Sequence, residues 1–228
     1  MEGQSINPKK AAGEKAVEYV KPGMTVGLGT GSTAYWAIHA IAARVNEGME
    51  IKAIATSTAS EDLARELGIT IISFADTDYI DITIDGADEV SATLDLIKGG
   101  GGALLREKIV AAATKLYIII ADQNKYVPIL GAFALPVEVV KFGWEMTFRH
   151  LEKLGCTPKV RLSGDAFFVS DNGNFIIDCS FTAIERPAAL NQQIYAIPGV
   201  VENGLFLDMA DVVILGDKDG STREIRKV

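Results

Sequence analysis

Residues 79–110 read YIDITIDGADEVSATLDLIKGGGGALLREKIV. A mostly apolar run from Tyr79 to Ile84 stops at Asp85-Gly86-Ala87-Asp88-Glu89, the pattern of a buried strand closing in acids. Open α/β sheets bind ligands beyond the C-terminal ends of their strands, so these acids mark a functional rim. Lys98 and the glycines Gly99 to Gly102 follow, and they open a helical pattern, ALLREKIVAAATK, that carries Glu107. Taken singly, most of these residues have ordinary readings. Asp85 or Asp88 can cap a turn, and Glu107, between Arg106 and Lys108, reads as a solvated helix face. The glycines are harder to dismiss, because each costs roughly 0.5–1 kcal/mol relative to Ala in regular structure. A run of them implies that something approaches the backbone closely. Carboxylates, an ammonium and bare backbone within one short stretch make a catalytic constellation.

Upstream, residues 8–21 place Ala12, Ala16, Val17 and Val20 at helical spacing behind Pro8, and Pro22-Gly23 ends that helix. Met24 to Leu28 reads as a buried strand. Gly29-Thr30-Gly31-Ser32-Thr33-Ala34 turns it into the helix YWAIHAIAARV, where backbone N–H groups and hydroxyls can cradle a phosphate. The turn formally fits a dinucleotide fingerprint, but the second strand, IKAIATSTAS, ends in hydroxyl residues where that fingerprint expects a ribose-binding acid. No Gly-Lys-Ser/Thr follows either, which argues against an ATP-binding loop. The helix EDLARELG, a strand ITIISF at 69–74 and a strand KLYIIIA at 115–121 continue the alternation, which predicts a parallel sheet flanked by helices. The turns at 29–33, 85–88 and 122–125 then share one rim. On that rim Lys125, alone, reads as a solvated loop lysine.

After Pro128 the pattern changes. A strand at 135–140, a helix at 142–155, two β-rich runs about Asp171-Asn172-Gly173, a helix through Ile194 and a strand after Pro198-Gly199 give a β-α-β-β-α-β order. This is the split βαβ, ferredoxin-like unit. The last apolar run, 210–216, is expected to return to the first sheet. The expected division is a main domain at 1–130 and 207–228 and a small domain at 131–206.

Composition narrows the function classes. The chain has 228 residues, 48% of them hydrophobic, and a net charge of −8, which argues against a nucleic-acid-binding face. No apolar stretch is long enough for a membrane span, and MEGQSINPKK lacks a signal-peptide core, so a cytoplasmic location is expected. Cys156 and Cys179 form no CxxC pair, and His39 and His150 lack ligands at metal-binding spacing, so no metal is expected.

GLGTGSTA at 27–34, DGADEV at 85–90, KGGGGALLREKIV at 98–110 and DQNKYV at 122–127 closely resemble the A-type ribose-5-phosphate isomerases, as do VSDNGNFIID at 169–178 and PGVVENGLF at 198–206. The resemblance implies a Rossmann-like main domain with a small ferredoxin-like α+β domain, no metal or organic cofactor, and a homodimer or homotetramer. It implies interconversion of D-ribose 5-phosphate and D-ribulose 5-phosphate in the pentose phosphate pathway. By position it makes Glu107 the catalytic base, with Asp85, Asp88 and Lys98 around the reacting end of the sugar. Thr30, Gly31, Ser32, Thr33, Gly86, Ala87, Gly99, Gly100 and Gly101 become substrate-binding positions, with Lys125 and Lys9 as further cationic partners. Gln123-Asn124, Lys141 and Gly143 depart from the family pattern, away from the acid-base positions.

Two other readings fit the sequence less well. A non-catalytic sugar-phosphate sensor of similar fold would carry a helix-turn-helix module and could dispense with Glu107. A sugar-phosphate deaminase or lactonase would use a catalytic histidine, and neither His39 nor His150 falls in a rim loop.

Overall fold

The computed structural model describes residues 7–227, which form two compact units. The first takes in 7–87, Arg106–Tyr126 and 209–227. Its six-stranded sheet has the spatial order Thr222–Arg226, Val212–Gly216, Tyr117–Asp122, Ile82–Gly86, Thr25–Leu28, Lys52–Ala55. Every pairing is parallel except that of Thr222–Arg226, which returns antiparallel to Val212–Gly216. Numbered along the chain this is 2-1-3-4-5-6, and its connections reverse direction between Thr25–Leu28 and Ile82–Gly86. Such a switch point leaves a crevice at the strands' C-terminal ends, where α/β proteins bind ligands.

The inner strands form because their residues are largely apolar and buried on both faces. Thr25–Leu28 is buried throughout, as are the first five residues of Tyr117–Asp122. Helix α1 (Pro8–Val17) starts where the Asn7 side chain accepts the Lys9 N–H at 3.0 Å, with proline in its first turn. It packs on α2 (Ala34–Asn46) through Gly13, where a Cβ would lie 3.0 Å from the Ala37 nitrogen. Helix α3 (Thr58–Glu66) is capped by Ser57, whose Oγ accepts the Ser60 N–H at 3.1 Å. The main core joins Ala12, Ile38, Val26, Ile84 and Ile118; a smaller cluster joins Ile54, Ile80 and Val110 of α4 (Leu104–Ala112).

The expected strand at 69–74 does not form. Only Ile71 makes a bridge, to Ala53, and Ser73 and Asp76 build a capping box that turns the chain into a short 3-10 helix, Phe74–Asp76. Ile71 and Ile72 are only half-buried and Ser73 and Phe74 are exposed, so too little burial supports the β-branched composition and it is overridden. The antiparallel strand Thr222–Arg226 was not foreseen either; its residues are mostly charged and exposed.

The second unit comprises Asp88–Leu105 and Val127–Asp208. Its main sheet runs Val200–Asn203, Leu135–Val139, Phe175–Ser180, Thr157–Val160, with all pairs antiparallel. With α5 (Trp144–Glu152) and α6 (Pro187–Tyr195) between strands, this is the expected β-α-β-β-α-β unit in the order 4-1-3-2. Leu151, Leu190 and Ile194 from the helices share a core with Val137, Val139 and Ile177 from the sheet.

The turn at Asp171-Asn172-Gly173 closes as expected, with the Gly173 N–H on the Ser170 carbonyl at 2.8 Å. The arm before it does not pair along its length. Residues 162–167 fold back as their own small hairpin around Gly164, leaving one bridge from Val169 to Phe175. Leu162 and Phe167 are exposed, so this arm has no buried face to hold it in the main sheet. The second unit also holds 88–105, which the sequence placed with the main domain. Glu89–Val90, Leu96–Ile97 and Leu205–Phe206 pair as a three-stranded sheet, and that pairing groups them.

Candidate active site

In the first unit Asp85 and the 29–33 turn meet at the switch point. Asp85, fully buried in the strand Ile82–Gly86, accepts the Thr30 N–H at 3.0 Å and the Gly86 N–H at 2.7 Å on the same oxygen, Oδ1. Gly29 lets this happen, since a Cβ there would lie 2.2 Å from Oδ1. The carboxylate therefore ties the phosphate-type turn to the neighbouring strand end. Gly31, at φ +99°, needs the left-handed conformation, and Ser32 stands exposed beside it. The ammonium of Lys9 donates to Ser32 Oγ at 2.8 Å, which brings that lysine to the turn. Thr33 is the N-cap of α2 and its side chain makes no capping hydrogen bond.

The hydroxyl residues that ended the second strand turn out to hold the same turn. Thr30 Oγ1 lies 2.7 Å from Thr56 Oγ1 and donates to Ser57 Oγ at 2.8 Å, while Ser60 Oγ donates to the Gly29 carbonyl at 2.7 Å. Sequence reasoning used Thr56 and Ser57 only to argue against a dinucleotide. Their position at a strand's C-terminal end was the available signal.

Glu107, on the first turn of α4, is only 4% exposed. It lies on the stripe Leu104, Glu107, Val110, Ala111, all buried, whereas Arg106 and Lys108 flank it half-buried and Ile109 is exposed. The solvated-face reading of Glu107 is therefore corrected. Tyr117, not anticipated from sequence, is fully buried, and its hydroxyl donates to Asp85 Oδ2 at 3.4 Å. Burial first, then the negative charges of Asp85 and Glu107, hold the phenol's pKa well above its ordinary value, so it stays protonated. Gly86 and Ala87 continue the rim, and Lys125 ends the short 3-10 helix Gln123–Lys125 after the neighbouring strand. Lys125 is half-buried, not fully solvated.

In the second unit Asp88, Lys98 and the glycines form their own group. Asp88 Oδ2 accepts the Gly100 N–H at 2.8 Å, and a Cβ on Gly100 would meet that carboxylate at 2.5 Å. Lys98 follows the strand Leu96–Ile97, donates its N–H to the Gly204 carbonyl at 2.9 Å and is 2% exposed. Its ammonium stands 5.4 Å from the centre of the Phe206 ring, in cation–π range. Gly101 is exposed between its neighbours. Glu89, the third acid of the strand end, serves the fold: it accepts the N–H groups of Gly131 at 2.7 Å and Phe133 at 2.6 Å. No group of three or more His, Cys, Asp or Glu placed to hold a metal occurs among the described residues.

Residues 52–220 match the family model for ribose 5-phosphate isomerase A (phosphoriboisomerase A). The chain is 52% identical to ribose-5-phosphate isomerase A 1 of Oceanobacillus iheyensis over 212 residues, which is 92% of this chain and 95% of that protein. It is 50% identical to ribose-5-phosphate isomerase A of Bacillus mycoides over 94% of this chain and 98% of that one. Among solved structures, ribose 5-phosphate isomerase from Plasmodium falciparum superposes with a TM-score of 0.93 at 40% identity, covering 96% of this chain and 97% of that one. A D-ribose-5-phosphate isomerase in complex with phospho-erythronic acid also superposes with a TM-score of 0.93, at 35% identity, over 98% of this chain and 99% of that one. Fold, rim and sequence together define an α/β sugar-phosphate isomerase. The chain belongs to the ribose 5-phosphate isomerase A family. The sensor alternative finds no support in these relatives.

Proposed function

We infer that this chain interconverts D-ribose 5-phosphate and D-ribulose 5-phosphate, with Glu107 as the base. The observation that carries the assignment of the base is the burial of Glu107 on the apolar stripe of α4. A carboxylate withdrawn from water at that cost is a candidate for proton transfer. Moving the carbonyl from C1 to C2 removes a proton from one carbon and returns it to the other through a cis-enediolate. One carboxylate on one face of the sugar serves both carbons.

As charge builds on O1 and O2, the ammonium of Lys98 and the N–H of Gly101 stabilise it, the Gly100 N–H being committed to Asp88. Asp88, half-buried, is the acid that assists ring opening and hydroxyl exchange. Asp85, with Oδ1 committed to Thr30 and Gly86, shapes the phosphate turn. Thr30, Gly31, Ser32 and Thr33 bind the phosphate with Lys9 and Lys125, and that remote binding energy positions the reacting end. Phospho-erythronic acid, the ligand of a relative, supports this reading because its carboxylate offers two oxygens in a plane, as an enediolate does.

No cofactor enters this scheme. Self-association as a homodimer or homotetramer in the cytoplasm completes the proposal, and apolar side chains such as Phe142, 95% exposed, support it. No helix among the described residues is long and apolar enough to cross a membrane. The deciding experiment is Glu107→Gln. The variant is expected to fold and bind substrate, to lose about 10²–10⁴-fold in turnover, and to stop exchanging the C2 hydrogen with solvent deuterium. Turnover above about a tenth of wild type would remove Glu107 as the base.

A further inference from the structure

The glycine run is held from behind by Arg161, a residue outside the constellation described so far. Arg161 Nη1 donates to the carbonyls of both Gly99 and Gly100, at 3.0 Å each. Its Nε and Nη2 donate to the two oxygens of Asp178, at 2.9 and 2.5 Å. This bidentate pairing fixes the plane of the guanidinium. The backbone is fixed as well, with the Arg161 N–H on the Ile176 carbonyl at 2.8 Å. Gly102, at φ +80°, completes the fit, since a Cβ there would lie 2.5 Å from the Phe168 ring and 3.6 Å from Nη1. The side chain is 14% exposed, so the charge works largely out of water.

The consequence follows from peptide geometry. A trans peptide sets C=O and N–H on opposite sides, and none of the described peptides is cis. The carbonyl of Gly99 on Arg161 turns the Gly100 N–H the other way, where it meets Asp88 Oδ2 at 2.8 Å. By the same rule the carbonyl of Gly100 on Arg161 turns the Gly101 N–H away from the guanidinium. A cation on the carbonyl side also polarises each peptide and strengthens the N–H as a donor.

We propose that Arg161, locked by Asp178, is a positioning residue for the isomerisation: it fixes and polarises the Gly99–Gly101 peptides so that one N–H orients Asp88 and the next donates to the developing oxyanion. The proposal rests on the reading that these glycines line the substrate site. Because that oxyanion forms only as the reaction proceeds, the effect belongs in kcat rather than in ground-state binding.

The test is steady-state kinetics of Arg161→Ala and Arg161→Lys, with backbone amide NMR of the wild type titrated with 4-phospho-D-erythronate. Arg161→Ala is expected to lower kcat about ten- to a hundredfold with KM changed by less than about twofold, and added methylguanidinium is expected to restore part of the loss. Arg161→Lys keeps the charge but cannot fork to two carbonyls and an acid, so it falls in between. If Arg161→Ala does not fold, Arg161→Lys decides, and wild-type kcat in that variant overturns the proposal. Loss confined to KM, or a kcat loss that neither lysine nor methylguanidinium relieves, overturns it as well. A Gly101 amide unmoved by the ligand in wild type refutes the underlying reading and the proposal with it. A Gly101 amide that shifts, with undiminished kcat in Arg161→Ala, refutes the proposal alone.

Discussion

Gly29 packs so closely on Asp85 that an added Cβ would lie 2.2 Å from Oδ1 and 2.5 Å from Cα. No rotation of the aspartate relieves the contact with its own backbone, so Gly29→Ala must push two adjacent strand ends apart. The expected cost is about 1–3 kcal/mol of stability, together with a raised KM, because the displaced turn is the one assigned to the phosphate. Urea unfolding and kinetics on the same preparation check both; an unchanged KM would detach the turn from substrate binding.

Lys98→Ala is expected to lower kcat about a hundredfold, corresponding to roughly 3 kcal/mol for a charged donor to a developing oxyanion. Affinity for phospho-erythronic acid, measured by calorimetry, should fall as well, since that ligand carries a comparable anion. A raised KM with wild-type kcat would move Lys98 to phosphate binding.

Tyr117 gives a prediction in pH. Its pKa is held well above the ordinary value of 10.0, by burial first. Below pH 10 the phenol is protonated in both folded and unfolded chains and its contribution to stability is fully present. As pH rises above 10 the unfolded phenol ionises first, and that contribution is lost. Wild type should therefore lose stability with pH in that range more steeply than Tyr117→Phe, by up to about 1.4 kcal/mol per pH unit. Parallel slopes in urea titrations above pH 10 would show that the phenol is not so held.

Glu89→Ala leaves the N–H groups of Gly131 and Phe133 without their acceptor. The expected loss is about 2–5 kcal/mol of stability, with kcat per folded molecule near wild type. A fall in kcat without a fall in stability would return Glu89 to the reacting acids.

Much of this was legible because the physics was local. Apolar runs ending in Gly, Asp and Thr gave the strand ends, and parallel alternation predicted one rim from residues 29–33, 85–88 and 122–125, of which all but Asp88 fall in the first unit. Glu107 was legible only in part: its charged neighbours suggested a solvated face, while its spacing from Leu104, Val110 and Ala111 marked the buried stripe. Tyr117 meets Asp85 only through the pairing of neighbouring strands, which a single sequence does not register. Arg161 and Asp178 are likewise joined by sheet register, and nothing local distinguishes them from surface charges. At 69–74 the composition favoured a strand, but too little of the segment is buried for that preference to count.

The order of strands in the first sheet also bears on how the protein is made. Val212–Gly216 lies beside Tyr117–Asp122, yet it is synthesised only after the entire stretch 127–208. During translation the YIIIAD strand therefore waits with one edge unpaired while a second unit forms. An apolar strand edge left open is an aggregation hazard. The charged antiparallel strand Thr222–Arg226, which follows Val212–Gly216 in the chain, closes that side of the sheet with a border that discourages further pairing. Expression yield should accordingly depend on how quickly these last two strands can dock, and truncation before Val212 should give insoluble protein rather than a smaller folded one.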